Sequence, residues 1–166
     1  MNSDDPWSGF DRRAGLLIDT NLLVLFVVGS VNRDRIESFK RTRQYSKSDY
    51  ELLLRVLDAF KPLYTLAHVM AEVSNLTDLK DRERLQARHV LKEALTILRE
   101  PEMPSIRAAQ SPPYESLGLV DAAIAALARE YKCAVLTDDL DLYLALSREG
   151  VMVLNFTHLR ERVWRV

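Results

Sequence analysis

Cysteine is almost missing from this chain: Cys133 is the only one in 166 residues. An internal disulfide is excluded, and so is a cysteine-rich zinc centre. With Ala134 and Val135 beside it, Cys133 reads as a core thiol. Long apolar runs are also lacking. The longest, Leu22 to Val28, is far short of the about 20 residues that cross a bilayer, and the first fifteen residues hold no apolar stretch fit for a signal peptide. No membrane partner is expected, and the cytoplasm is the expected location. Charge of one sign does not dominate either, since the formal net charge is −1. There is no internal repeat and no low-complexity run. The one proline-rich patch inside the chain, Ser111 to Ser116, is too short for a linker. What remains is 48% apolar and 28% charged, the mix of a globular protein. A single domain over residues 1–166 is expected, with residues 1–14 a flexible leader.

The pattern that is present is an alternation. Leu16, Leu17 and Ile18 form an apolar run without period-2 alternation, which suits a strand buried on both faces. A helix-spaced apolar run follows. Ile36 to Phe39 and then Ser48 to Phe60 have helical spacing, with Ser48 as N-cap and Leu52, Leu53, Val56, Leu57 and Phe60 on one face. Leu63 to Leu66 predicts a second strand that opens into a helix from Ala67 to about Thr77. A long helix is expected over roughly Asp81 to Arg99, and Met103 to Ile106 as an edge strand. The 111–116 loop leads to a helix over Leu119 to Tyr131, a buried strand at Cys133 to Leu136 and a helix from Leu140 to Ser147. A last strand at Val151 to Leu154 and a basic terminal segment close the chain. Strands separated throughout by helices predict an α/β three-layer sandwich, its central, largely parallel sheet flanked by helices.

The acids fall at matching places in that frame. Asp19 ends the first strand, and Asp138 and Asp139 end the strand at Cys133 to Leu136. In open α/β sheets, ligands and chemistry collect at the carboxyl ends of strands. Glu72 sits one turn into its helix, about 100° from the centre of the buried face, where a carboxylate reaches a cleft. Asp121 lies in the first turn of the helix before the second of those strands. Each alone has a bland reading, as an N-cap or a first-turn acid favoured by the helix dipole. Together they do not. Two carboxylates about 4 Å apart repel by about 4 kcal/mol at an effective dielectric near 20, so several facing one another call for a cation. All the donors are oxygens. None of His68, His89 and His158 adjoins an acid, and His68 is expected to be superficial or structural. Hard oxygen donors favour Mg²⁺ or Mn²⁺ over zinc, and such an ion suits in-line attack of an activated water on a phosphodiester. Asp19→Asn is expected to leave the fold intact, on the ground that a pocket carboxylate faces water.

One stretch is locally basic. Arg33, Arg35, Lys40, Arg41, Arg43 and Lys47 stand against only Asp34 and Glu37. Such a strip can track phosphates, and Tyr45 within it can stack on a base. Lys40, Arg41, Arg43 and Lys47 are the candidate RNA-binding residues.

Gly15 to Asn21 (GLLIDTN), Glu72 in AEVSNL, Asp121 in LVDAAI and Asp138-Asp139 in LTDDLDL together resemble the PIN-domain family, in the right order and over most of the chain. The resemblance implies a small α/β fold whose acidic pocket binds Mg²⁺ or Mn²⁺ and cleaves single-stranded RNA. Its first aspartate falls on Asp19, its helix glutamate on Glu72, its third acid on Asp121 and its fourth on Asp139, two places after Thr137. Asp138 leaves that last assignment open. Asn21 matches the residue that supports the first aspartate, Thr137 and Asp138 are expected to support the site as well, and Asp141, an auxiliary acid of the last motif, is expected among the metal ligands. Many bacterial members are toxins of VapC type, which adds an antitoxin and a second copy of the chain as expected partners. Water as the attacking group implies 5′-phosphate and 3′-hydroxyl products. The alternative is a non-catalytic module of the same fold that binds RNA or a protein.

Overall fold

Gly15 sets the chain on its path into the sheet. Its φ of +90° is one that side-chain-bearing residues avoid, and a Cβ there would sit 2.7 Å from Pro62 O and 2.7 Å from the Tyr64 ring, so glycine alone fits. The strand β1 (Leu16–Ile18) that follows is buried along its whole length. The computed structural model, which describes residues 6–164, places β1 inside a four-stranded sheet of order β2-β1-β3-β4. All three pairings are parallel, joining β1 to β2 (Leu63–Tyr64) and to β3 (Ala134–Thr137), and β3 to β4 (Val153–Asn155). Parallel neighbours need crossover connections. Helices supply them: α1 (Thr20–Val31) and α2 (Lys47–Ala59) lie between β1 and β2. Between β2 and β3 come α3 (Ala67–Leu76), α4 (Asp81–Ile97), α5 (Ser105–Ala109), α6 (Tyr114–Leu117) and α7 (Leu119–Tyr131). The crossover α8 (Leu140–Arg148) precedes β4, and α9 (Phe156–Trp164) follows it. The expected sandwich of a parallel sheet flanked by helices is the observed one.

The core runs through the sheet and the helices around it. Leu16, Leu17, Leu22, Leu25, Leu53, Phe60, Ile124, Leu127 and Phe156 are among its fully buried members, and Cys133 lies buried with them. Burial pushes the Cys133 thiol up to about 11. Of the leader expected over residues 1–14, the first five lie outside the described residues. In the rest, Trp7 is buried, with the Arg55 guanidinium 5.8 Å from its ring centroid, and Lys61 N donates to Arg12 O at 3.1 Å. Among the described residues no helix is long and apolar enough to cross a membrane.

Four local expectations are corrected. The cap of α2 is Ser46, not Ser48: Asp49 N donates to Ser46 Oγ at 3.2 Å while Ser46 N donates to Asp49 Oδ2 at 2.7 Å, a reciprocal capping box. Ile36 to Phe39 is not a helix; a 3-10 turn at Arg33–Arg35 leads into successive turns, and Thr42 Oγ1 donates to Ile36 O at 2.7 Å to close them. Met103 to Ile106 is not an edge strand, because Pro104 (φ −59°) is preset for a helix start and α5 begins beside it. The place beside β2 is taken by Arg99, which donates to Leu63 O at 2.8 Å and accepts from Thr65 N at 2.9 Å. Finally, the patch at 111–116 is partly helical, with α6 starting at Tyr114.

Candidate metal centre

Register builds the site. Ile18 pairs with Leu136, and Asp19 N donates to Leu136 O at 3.0 Å, so Asp19 and Thr137 leave the sheet side by side at its carboxyl edge. Thr137, fully buried, donates its hydroxyl to Asp19 Oδ2 at 2.6 Å. Thr20 N donates to Oδ1, also at 2.6 Å. Asp19 is thus at once the N-cap of α1 and a buried acid, 5% exposed. The expectation of a water-facing carboxylate fails here. Burial pushes its carboxyl up to about 6; the Thr137 and Thr20 hydrogen bonds pull it down, and the charges of Asp138 and Asp139 push it up further.

Glu72 enters from α3. It is half-buried, as its place on the helix predicts, and Thr20 Oγ1 donates to its Oε2 at 2.8 Å. Asp121 enters from the first turn of α7, also half-buried. Desolvation is the first cause that pushes its carboxyl up to about 7, and the negative charges of Asp19, Asp139 and Glu72 follow. Asp19, Glu72 and Asp139 therefore lie within electrostatic reach of Asp121, and Asp139 within reach of Asp19. No basic side chain is among the groups that shift Asp19 or Asp121.

The remaining candidates divide. Asp139 is exposed and caps α8: its Oδ1 accepts from Asp141 N at 2.8 Å and Leu142 N at 3.0 Å. Its own N donates to Thr137 Oγ1 at 3.0 Å, so Thr137 joins the two strand ends. Asp138 accepts from Asn21 Nδ2 at 3.3 Å and from the Tyr45 hydroxyl. The Asp141 carboxylate is exposed and is not among the charges acting on Asp19 or Asp121. In the basic strip, Lys40 is paired with Asp78 at 3.1 Å and Lys47 with Asp34, all exposed. Arg33 and Arg35 are paired with Glu51 and Glu83. Arg41 and Arg43 are exposed and form no ion pair among the described residues. Tyr45 is not open to a base: it is buried, 2% exposed. His68 donates to or accepts from Ser105 Oγ at 2.9 Å, a structural contact.

Two residues of the site escaped the reading of the sequence. Thr20 bridges Asp19 and Glu72 with its backbone and its hydroxyl; its signal was its place directly after Asp19 in a first turn. Tyr45 carried no signal beyond its type.

The donor set suits a hard divalent cation. Asp121 accepts no side-chain hydrogen bond among the described residues, and one oxygen each of Glu72 and Asp139 is likewise unengaged. Among the described residues no three acids, histidines or cysteines converge closely enough to form a ready-made cage. An ion that keeps several of its waters and takes one or two carboxylates directly does not need one.

A family model described as the PIN domain matches residues 16–145. The chain belongs to the PIN-domain family, a nuclease-type fold whose members commonly depend on divalent metal ions. No curated protein matches it.

Proposed function

We propose that this protein is a Mg²⁺- or Mn²⁺-dependent endoribonuclease that cuts single-stranded RNA. One observation carries the reading: Asp19 and Asp121 have carboxyls pushed up to about 6 and about 7, with other acids among the charges that push them and no basic side chain acting on either. A cation offsets both the burial and the like charge that raise them. Asp19, Glu72, Asp121 and Asp139 hold it, directly or through its waters, and Asp141 stands outside as an auxiliary acid. Thr137 and Thr20 orient Asp19, Thr20 also orients Glu72, and Asn21 holds Asp138 beside them. When bound, the ion lowers the pKa of a water and neutralises charge on the phosphodiester.

Arg41 and Arg43 hold the phosphates of the strand, with Lys40 and Lys47 exchanging their exposed, weak partners for RNA. The same reading takes the cytoplasm as the place of action, and the likeness to VapC-type toxins supports a test for an antitoxin and for a second copy of the chain as partners.

Labelled single-stranded RNA, incubated with Mg²⁺ or Mn²⁺ and with a chelator, tests the reaction. Cleavage leaving 5′-phosphate and 3′-hydroxyl ends is expected with metal only, and none with Asp19→Asn or Asp121→Asn. Cyclic phosphate ends, or activity that survives a chelator, would refute it. RNA bound tightly but never cut would make the chain a binding module instead.

A further inference from the structure

The adjacent acids Asp138 and Asp139 are chemically alike, yet the structure treats them differently. Both oxygens of Asp138 are engaged by protein donors, Oδ1 by Asn21 Nδ2 at 3.3 Å and Oδ2 by the Tyr45 hydroxyl. Asp139 spends Oδ1 on the α8 cap, and its Oδ2 takes no hydrogen bond among the described residues. Tyr45 is held in turn. The Phe156 ring meets it edge-on with centroids 6.3 Å apart, and the Arg160 guanidinium lies over it at 5.6 Å. Arg160 also donates to Asp49 Oδ1 at 2.7 Å and to Gln44 O at 3.3 Å, the residue before Tyr45. Phe156 and Arg160 both belong to α9, beyond residue 145, where the family match ends.

We propose that Tyr45 is a positioning residue of the nuclease site, keeping Asp138 engaged so that Asp139 is the carboxylate left to the metal ion, with α9 holding Tyr45 in place through Phe156 and Arg160. The proposal rests on the metal-dependent reading above. A carboxylate oxygen that already accepts a hydrogen bond has one lone pair fewer to offer a cation, whereas Asp139 Oδ2 has both to offer. Loss of the Tyr45 hydroxyl returns an uncommitted oxygen to Asp138, beside the ligand that the reaction needs. The two then compete for one ion. With two charged carboxylates open to it, metal binds more tightly but in a geometry less suited to the phosphodiester.

Tyr45→Phe keeps the ring, its contact with Phe156 and the guanidinium above it, and removes only the hydroxyl. Mn²⁺ binding is measured by calorimetry on the whole chain without RNA, and cleavage is measured with Mn²⁺ titrated to saturation. The variant is expected to bind Mn²⁺ several-fold more tightly and to lose about tenfold or more in kcat. KM for RNA should stay as it is, because a buried residue does not touch the strand. Adding Asp138→Asn to Tyr45→Phe removes the competing charge, so it should abolish the tighter binding and recover most of kcat. A merely structural Tyr45 predicts none of this. Unchanged Mn²⁺ affinity in Tyr45→Phe, a loss of activity that tracks a lowered melting temperature, or no reversal by Asp138→Asn overturns the proposal. If the wild type binds Mn²⁺ but cuts no RNA, the nuclease reading fails while calorimetry still decides the role of Tyr45. A wild type that binds no Mn²⁺ overturns both.

Discussion

Asp19→Asn, studied by urea unfolding across pH in the presence of a chelator, tests the electrostatic account of the site. The carboxyl stands at about 6 in the folded chain, against the ordinary 3.8 of an aspartate. That difference, about two pH units, corresponds to about 3 kcal/mol of disfavour for the ionised form. The sign follows from proton counting. Between those two values the native state holds more protons at Asp19 than the unfolded state does, so stability from this group is fully present below about pH 4 and is lost as pH rises through about 6. Asp121, raised to about 7, extends the window upward, with less weight because it is half exposed. The metal-free wild type should therefore lose stability between about pH 4 and pH 7, the reverse of an ion-paired aspartate. The variant cannot ionise at position 19. At pH 8 it should exceed the wild type by up to about 3 kcal/mol, less what an amide loses in accepting from Thr20 N and Thr137 Oγ1. Near pH 4 the gap should close. With Mg²⁺ at a hundredfold excess over Kd, the wild type gains about 2.7 kcal/mol and the variant much less. A metal-free difference between the two proteins that stays constant from pH 4 to pH 8 would show that Asp19 is not a strained acid, and the case for a cation would fall with it.

Arg160→Ala strips the buried Asp49 carboxylate, 1% exposed, of its guanidinium. It should cost about 3 kcal/mol in denaturant unfolding, and a cost under about 0.5 would mean that the Ser46 cap alone satisfies Asp49. Gly29→Ala should destabilise by about 1–3 kcal/mol although alanine favours helices, because its Cβ would lie 2.3 Å from the buried Tyr50 ring; a rise in melting temperature would refute that packing. Replacing Arg41 and Arg43 together with Ala should flatten the salt dependence of RNA binding by about 0.7 per lost contact, leaving metal affinity unchanged, and an unchanged slope would remove the strip from the RNA path.

Strand ends were legible in the sequence because their cause is local. An apolar run stopped by an acid marks both β1 and β3, and the helix over Leu119 to Tyr131 is observed with those bounds. The four acids could be placed on their elements for the same reason: each has a fixed relation to its own strand or helix. What was not legible depends on neighbours far along the chain. Arg33, Arg35, Lys40 and Lys47 read as free cations, but their partners Glu51, Glu83 and Asp78 lie outside the strip, and Asp34 within it was counted only as one charge. Asp19 read as water-facing because nothing local reveals that Thr137, 118 positions away, closes over it. Tyr45 read as a stacking surface because α9, which buries it, comes last. The Ser46 cap was a local signal passed over. Its S-x-x-D spacing to Asp49 was visible, and the helix simply starts two residues earlier than its apolar face.

The hydrogen bond from Thr137 to Asp19, with 118 positions between its partners, also sets a timetable. Synthesis runs from the amino end at about 5–20 residues per second, so Asp19 is made on the order of ten seconds before Thr137. Until then β1 has no β3 to lie against, and Asp121 and Asp139 are themselves late arrivals. A growing chain thus carries its first acid for most of its synthesis with no means of completing a metal centre. The reaction proposed here, harmful if performed on the message being read, becomes possible only once Asp139 has emerged.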